Sequence, residues 1–198
     1  MIEAIRNKYP PKFLFLLFLY ISFPINLWAL YHVADIFPHA FTRTLDLWYA
    51  FGVSAVILTF ALFESAVVFG FYLLVGLIAP RRWNGRKLLM VLTSISLITT
   101  LWGALAQFKS LQRFLTNTIH WITKFYFHPV QVFYLVIGLL LLFAVALPAG
   151  VMIFFLTKNQ NFTNKLSAIF QKLEILSILY LFLNLLGIII LAWRNLSP

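Results

Sequence analysis

The chain has 198 residues, of which 63% are hydrophobic and 10% charged, and its mean hydropathy is +0.95. Soluble domains carry about one quarter charged residues, so this composition predicts an integral membrane protein with nearly its whole length in the bilayer. The sequence contains no cysteine, which excludes disulfides, thiolate nucleophiles and cysteine-ligated cofactors. The net charge of +10 comes from basic residues that flank apolar runs. This placement is typical of membrane topology and anionic lipid headgroups, and argues against a nucleic-acid partner.

The first predicted span covers residues 13–34, after a short basic lead. The lead resembles the start of a signal peptide, but no small-residue cleavage site follows, so we expect a retained span. Pro24 near its middle should kink the helix. Residues 35–48 carry charges of both signs and are predicted to form a loop.

The second predicted span, residues 49–79, has one carboxylate at its middle, Glu64, with fifteen residues on either side. A helix of this length reaches roughly 46 Å, more than the roughly 30 Å of a bilayer core. A charged group at that depth costs about 2.5–3.5 kcal/mol on insertion scales. We therefore expect Glu64 to face other helices or a wet cavity.

A strongly basic hairpin loop is predicted after the second span. Four cations fall within seven residues: Arg81, Arg82, Arg86 and Lys87. The pattern favours a loop that fixes topology and contacts anionic lipid headgroups. The alternative is a docking site for an acidic cytoplasmic partner.

The third predicted span, residues 88–108, carries polar or small residues at heptad-like spacing: Thr93, Ser96, Thr100, Gly103 and Gln107. Such a seam is typical of close helix contacts in membranes. Residues 110–127 then show the pattern of an amphipathic helix, which we expect to lie in the membrane interface until Pro129 ends it.

The fourth predicted span, residues 130–156, is almost wholly apolar and is the candidate for the most lipid-exposed helix. Residues 157–174 are predicted to form a polar connector. The fifth span covers residues 175–193 and carries a second seam at offsets of three, four and three: Ser177, Tyr180, Asn184 and Gly187.

The positive-inside rule predicts the orientation of the five spans. With the N-terminus in the cytoplasm, ten basic residues lie on the inner side and five on the outer side. We therefore predict a cytoplasmic N-terminus and an extracytoplasmic C-terminus, in the plasma membrane.

Polar groups recur near the middle of the predicted spans and form the candidate intramembrane site: Glu64, Asn26, Ser22, Ser96, Thr100, Asn184 and Tyr180. One interpretation is that they hold the helices together by hydrogen bonds, each pair contributing about 0.6–2 kcal/mol. A second is a cation or proton site at Glu64, lined by the other groups. In a third, Glu64 meets a partner subunit.

Histidines offer a weaker alternative, a metal site on the outer side. His32, His39, His120 and His128 would lie there, but their spacing matches no ligand motif. The spans also lack paired carboxylates and any serine–histidine pair at one depth. We therefore predict no metal, cofactor or catalytic residue.

Together these patterns predict an all-α fold, a polytopic membrane helical bundle. Residues 1–198 would form one integral membrane domain, with five transmembrane helices and an interfacial helix between spans three and four. The absence of catalytic motifs favours a non-enzymatic transmembrane subunit or scaffold of a larger membrane complex. The alternative is a self-associating ion or small-solute channel or transporter with Glu64 in its pathway. The expected partners are the bilayer, anionic lipid headgroups, and other membrane proteins or further copies of the chain.

Overall fold

The structure is a computed structural model that describes residues 10–80, 83, 85–107, 113, 116–118, 120 and 129–196. This part of the chain is almost entirely helical and contains no strand. Its five long helices are α1 (Pro11–Thr44), α2 (Leu47–Ile78), α3 (Gly85–Ala106), α4 (Pro129–Lys158) and α5 (Gln160–Leu196). Each is long and apolar enough to cross a membrane, which confirms the all-α class and the number of candidate spans.

The predicted loop at residues 35–48 is wrong, because α1 continues to Thr44 through both Pro24 and Pro38. Apolar residues keep helical spacing through this segment, and Phe37 packs edge-on against Phe51 of α2 at 5.5 Å between ring centroids. Packing therefore outweighs the backbone hydrogen bond that a proline removes from a helix.

Only two residues separate α1 from α2. Leu45 adopts a left-handed conformation with φ 52°, and its N–H closes α1 by donating to the carbonyl of Phe41 at 2.7 Å. Asp46 then caps α2, since its Oδ1 accepts a hydrogen bond from the N–H of Trp48 at 2.8 Å. The first two predicted spans are thus joined as a tight helical hairpin.

The predicted polar connector at residues 157–174 is also helical. Asn159 is the single residue between α4 and α5, and its Oδ1 accepts a hydrogen bond from the N–H of Phe162. Phe170 is buried in the core, where its ring stacks on that of Tyr20 at 5.2 Å. The first half of α5 therefore packs on the bundle instead of forming a free linker.

The helix α1 lies at the centre of the bundle and packs against α2, α3 and α5. The helix α2 also packs against α5. The helix α4 packs against α3 and, less closely, against α5. Large apolar side chains of α1 and the first half of α3 are fully buried: Leu17, Leu19, Ile21, Leu88, Met90 and Leu92.

The helix α4 is the most exposed of the five. Only 12% of its most apolar window is buried, against 22% to 50% in the other four helices. It is held to α3 partly by Trp102, whose indole N–H donates to the carbonyl of Ala144 at 3.0 Å. This low burial agrees with the prediction that α4 is the most lipid-exposed helix.

The predicted interfacial helix at residues 110–127 lies mostly outside the described residues. Within it, Arg113, residues 116–118 and His120 are helical. Its position relative to the bundle remains a prediction.

Candidate functional site

Two buried amides meet where α1 and α5 cross. The Asn184 Nδ2 group donates to Asn26 Oδ1 at 2.7 Å, and Asn26 Nδ2 donates in turn to the carbonyl of Ser22 at 2.9 Å. The Ser22 hydroxyl donates to the carbonyl of Leu19 at 3.0 Å. All three predicted site residues are at most 1% exposed. They form a short chain of hydrogen bonds that links the two helices.

The α5 seam faces the interior along its whole length. Its members Ser177, Tyr180, Asn184 and Gly187 are all buried. The ring of Tyr180 stacks on Phe23 of α1 at 5.9 Å between centroids. Polar and small residues at this spacing therefore identified the buried face of an otherwise apolar helix.

Gly187 allows a close approach of α5 to α2. A Cβ atom at this position would lie 3.1 Å from the carbonyl oxygen of Ala55 and 3.2 Å from the Cβ of Leu58. Both distances are shorter than ordinary contacts between carbon and its neighbours. The absence of a side chain at Gly187 thus sets the spacing of this helix pair.

The predicted polar residues of α3 form a second set of contacts. Ser96 is fully buried, and its hydroxyl has no hydrogen-bond partner among the described residues. Its carbonyl accepts hydrogen bonds from the hydroxyls of Thr99 and Thr100. Thr99 is also 2.6 Å from the hydroxyl of Tyr72, which joins α3 to α2. The α3 seam thus makes helix contacts separate from the Asn26–Asn184 pair.

Glu64 lies apart from the buried amides. Its side chain is exposed on α2, and the described part of the chain places no hydrogen-bond or ion-pair partner against it. Neighbouring exposed side chains on this helix are apolar and large: Phe60, Phe63, Val67 and Phe71. The Glu64 side chain is therefore accessible from the surface and is not one of the buried polar groups.

Two cavities flank Glu64 and give this surface its shape. The smaller, about 240 Å³, lies between α1, α2 and α3, and the larger, about 370 Å³, extends between α1 and α2 towards His32. Both are lined by Ile25, Trp28, Glu64 and Gln107. We call them the Glu64 cavities.

Trp28 and Gln107 line both cavities together with the carboxylate. The Trp28 indole N–H donates to Gln107 Oε1 at 2.9 Å. Trp28 also packs against the rings of Tyr31 and His32 at 5.2 and 4.8 Å. Sequence reasoning placed Gln107 in the α3 seam but did not connect it, or Trp28, with Glu64.

The basic hairpin lies partly within the described residues. Arg81 and Arg82 lie outside the described residues. Arg86 is exposed in the first turn of α3, and the Lys87 ammonium lies over the Trp83 ring, 5.6 Å from its centroid. The two described cations stand near the end of α3 that leads back to α2, as a contact with headgroups or an acidic partner would require.

No group of three metal-ligating side chains occurs among the described residues, a range that leaves out His128. No protein-family model, curated protein or solved structure matches the chain. Two of its buried polar side chains, Asn26 and Asn184, bond to each other, and the exposed acid at the middle of α2, Glu64, lines two cavities with an indole and an amide.

Proposed function

We propose that this protein is a non-enzymatic, multi-pass integral membrane protein that serves as a transmembrane subunit or scaffold of a larger membrane complex. One observation carries the proposal: Glu64 is exposed at the middle of α2, on the outside of the bundle. Leaving such a group against lipid costs about 2.5–3.5 kcal/mol on insertion scales. A second chain that covers the Glu64 cavities removes this cost.

The buried amides support the structural half of the proposal. Asn26 and Asn184 are bonded to each other at the crossing of α1 and α5, so they serve to hold the bundle together. A route for ions through one copy would need such groups to line an open path. The arrangement favours a rigid bundle whose partner binds at its side.

The membrane placement belongs to the same proposal. The N-terminus lies in the cytoplasm and the C-terminus outside, with residues 110–127 as a helix in the outer interface of the plasma membrane. The excess of basic residues on the inner side supports this orientation. Arg86 and Lys87 then face anionic headgroups of the inner leaflet.

The second candidate is an ion or small-solute channel or transporter made by self-association. It is favoured by the same exposed Glu64, because a ring of copies would bring several carboxylates to a shared axis. Such rings of acidic side chains select cations in known channels.

Native mass spectrometry of the protein, gently extracted from its own membrane, separates these candidates. A subunit is expected to carry a second chain in fixed stoichiometry. Photo-cross-linking from position 63, next to Glu64, should capture that chain more strongly than cross-linking from position 140 on α4. A homo-oligomer whose cation flux is lost in Glu64→Gln would support the channel, and a monomer without either property would contradict both.

A further inference from the structure

Glu64 stands at the same level of the bundle as the Asn26–Asn184 pair. It shares both cavities with Ile25 and Trp28, which lie on either side of Asn26 in α1. Asn26 in turn is bonded to Asn184 of α5. On α3, Thr100 and Gly103 line the smaller cavity at this level. Trp102, next to Gly103, donates a hydrogen bond to the carbonyl of Ala144, which places this part of α4 at the same level.

The five described helices carry no lysine or arginine near this level, although the imidazole of His32 lines the larger cavity. The closest in sequence is Arg194, ten residues after Asn184, or about 15 Å along a helix. Its guanidinium lies against Gly52 and 5.9 Å from the Tyr49 ring centroid, near the start of α2. In α1, α3 and α4 the nearest lysines are Lys12, Lys87 and Lys158, each still further along its helix from the level of Glu64. The described helices of a second copy likewise have no lysine or arginine at this level.

The walls of the Glu64 cavities suit a cation. A carboxylate stabilises an opposite charge within about 4–6 Å, and an indole face attracts a cation within about 6 Å of its centroid. Glu64 and Trp28 line both cavities. Since a water molecule takes about 30 Å³, volumes of about 240 and 370 Å³ admit a side chain of several methylene groups.

We infer that the chain covering Glu64 is a different protein, whose transmembrane helix carries a lysine or arginine that enters the Glu64 cavities and pairs with this carboxylate. The inference rests on the proposed function, because it names the chemistry of the partner. It follows from charge complementarity: an apolar surface with one acid at mid-helix, an indole beside it, and no lysine or arginine at that level in the described helices.

A host–guest peptide tests the pairing without the natural partner. The purified protein, labelled with a donor fluorophore at Leu45→Cys, is reconstituted in phosphatidylcholine vesicles. Acceptor-labelled leucine–alanine transmembrane peptides carry lysine, leucine or glutamate at the centre. Energy transfer should show the lysine peptide binding about tenfold more tightly than the leucine peptide, and the glutamate peptide more weakly.

Matched variants assign the effect to Glu64. Glu64→Gln should lose the preference for lysine, and Glu64→Lys should prefer the glutamate peptide. Glu174→Gln, the same change on the first half of α5, should keep the wild-type preference. Circular dichroism checks that each variant folds, and the reversed preference of Glu64→Lys shows specificity even where affinity falls.

Equal binding of the three peptides would overturn the inference, as would a lysine preference that persists in Glu64→Gln. Loss of that preference when phosphatidylethanolamine is added would assign the site to a lipid amine instead. A native complex whose partner has no base at this level would also overturn the inference, yet leave the proposed function intact. A protein that prefers the lysine peptide but has no native partner would show that Glu64 can pair with a base in the membrane. It would contradict the proposed function as a subunit.

Discussion

The side-chain amide of Asn184 donates a hydrogen bond to that of Asn26 across 2.7 Å, and this bond joins the last of the five helices to the first. The pair is unequal. Asn26 accepts a hydrogen bond at Oδ1 and donates one from Nδ2. The Oδ1 atom of Asn184, in contrast, is buried without a partner among the described residues. Each asparagine therefore depends on the other to a different extent.

This inequality predicts the order of stability of three variants. Asn26→Leu leaves the whole Asn184 amide buried and unpaired, which should cost about 1–3 kcal/mol. Asn184→Leu should cost less, because Asn26 keeps its bond to the Ser22 carbonyl. The double variant replaces both partners with apolar groups and should lie nearer to the wild type than the sum of the two changes. Unfolding by SDS in mixed micelles measures all three, and strict additivity would rule out the coupling.

Gly187→Ala tests the close approach of α5 to α2. The new methyl would press on the backbone oxygen of Ala55, which cannot turn away as a flexible side chain can. We expect a loss of about 1–3 kcal/mol. Gly70→Ala on α2 is the control, since a Cβ there meets nothing within 4 Å and should stabilise the helix by about 0.5–1 kcal/mol. The same unfolding assay compares them, and equal effects would contradict the close contact.

Tyr72→Phe should weaken the contact between α2 and α3 by about 0.5–1.5 kcal/mol. The loss stays small because the Thr99 hydroxyl also donates to the carbonyls of Ile95 and Ser96, and so keeps a partner. Tyr31→Phe removes a hydroxyl from a ring that is 56% exposed and should leave the unfolding free energy unchanged. If both variants lost the same stability, the Tyr72–Thr99 bond would not be its cause.

Cysteine labelling tests the orientation without background, because the sequence has no cysteine. Leu45→Cys lies in the turn between α1 and α2, where the native side chain is 80% exposed, and should react with a membrane-impermeant maleimide added outside cells. Gly85→Cys, at the start of α3, should react only after permeabilisation. The opposite pattern would invert the topology, and outside reaction at both positions would mean that α2 does not cross.

Two helices show what the sequence could and could not predict about the site. In α5, polar and small residues recur among leucines and isoleucines, so their spacing marked a face, and Tyr180 and Asn184 are buried there. In α2 every side is apolar, and a single carboxylate has no periodicity. Hydropathy therefore located Glu64 at mid-helix but carried no information about which side of the bundle it faces.

The length of α1 shows a second limit. Asp35 and Arg43 mark a solvated segment when charge alone is considered, and Pro38 argues against a helix. The contact of Phe37 with Phe51 depends on how α1 and α2 cross, which the sequence of either helix does not contain. The pairing of Trp28 with Gln107 was hidden for the same reason, since the two residues are 79 positions apart.

The connections of α5 have a consequence for biogenesis. Helices leave the ribosome in chain order, so the α1–α2 hairpin enters the membrane well before its main remaining neighbour, α5, is made. Until then Asn26 has no amide to bond with, and the surface that Gly187 will occupy is open. A chaperone or insertase that shields this hairpin during synthesis would therefore act on the face that α5 later covers, and a ribosome stalled before α5 would leave that face available for capture.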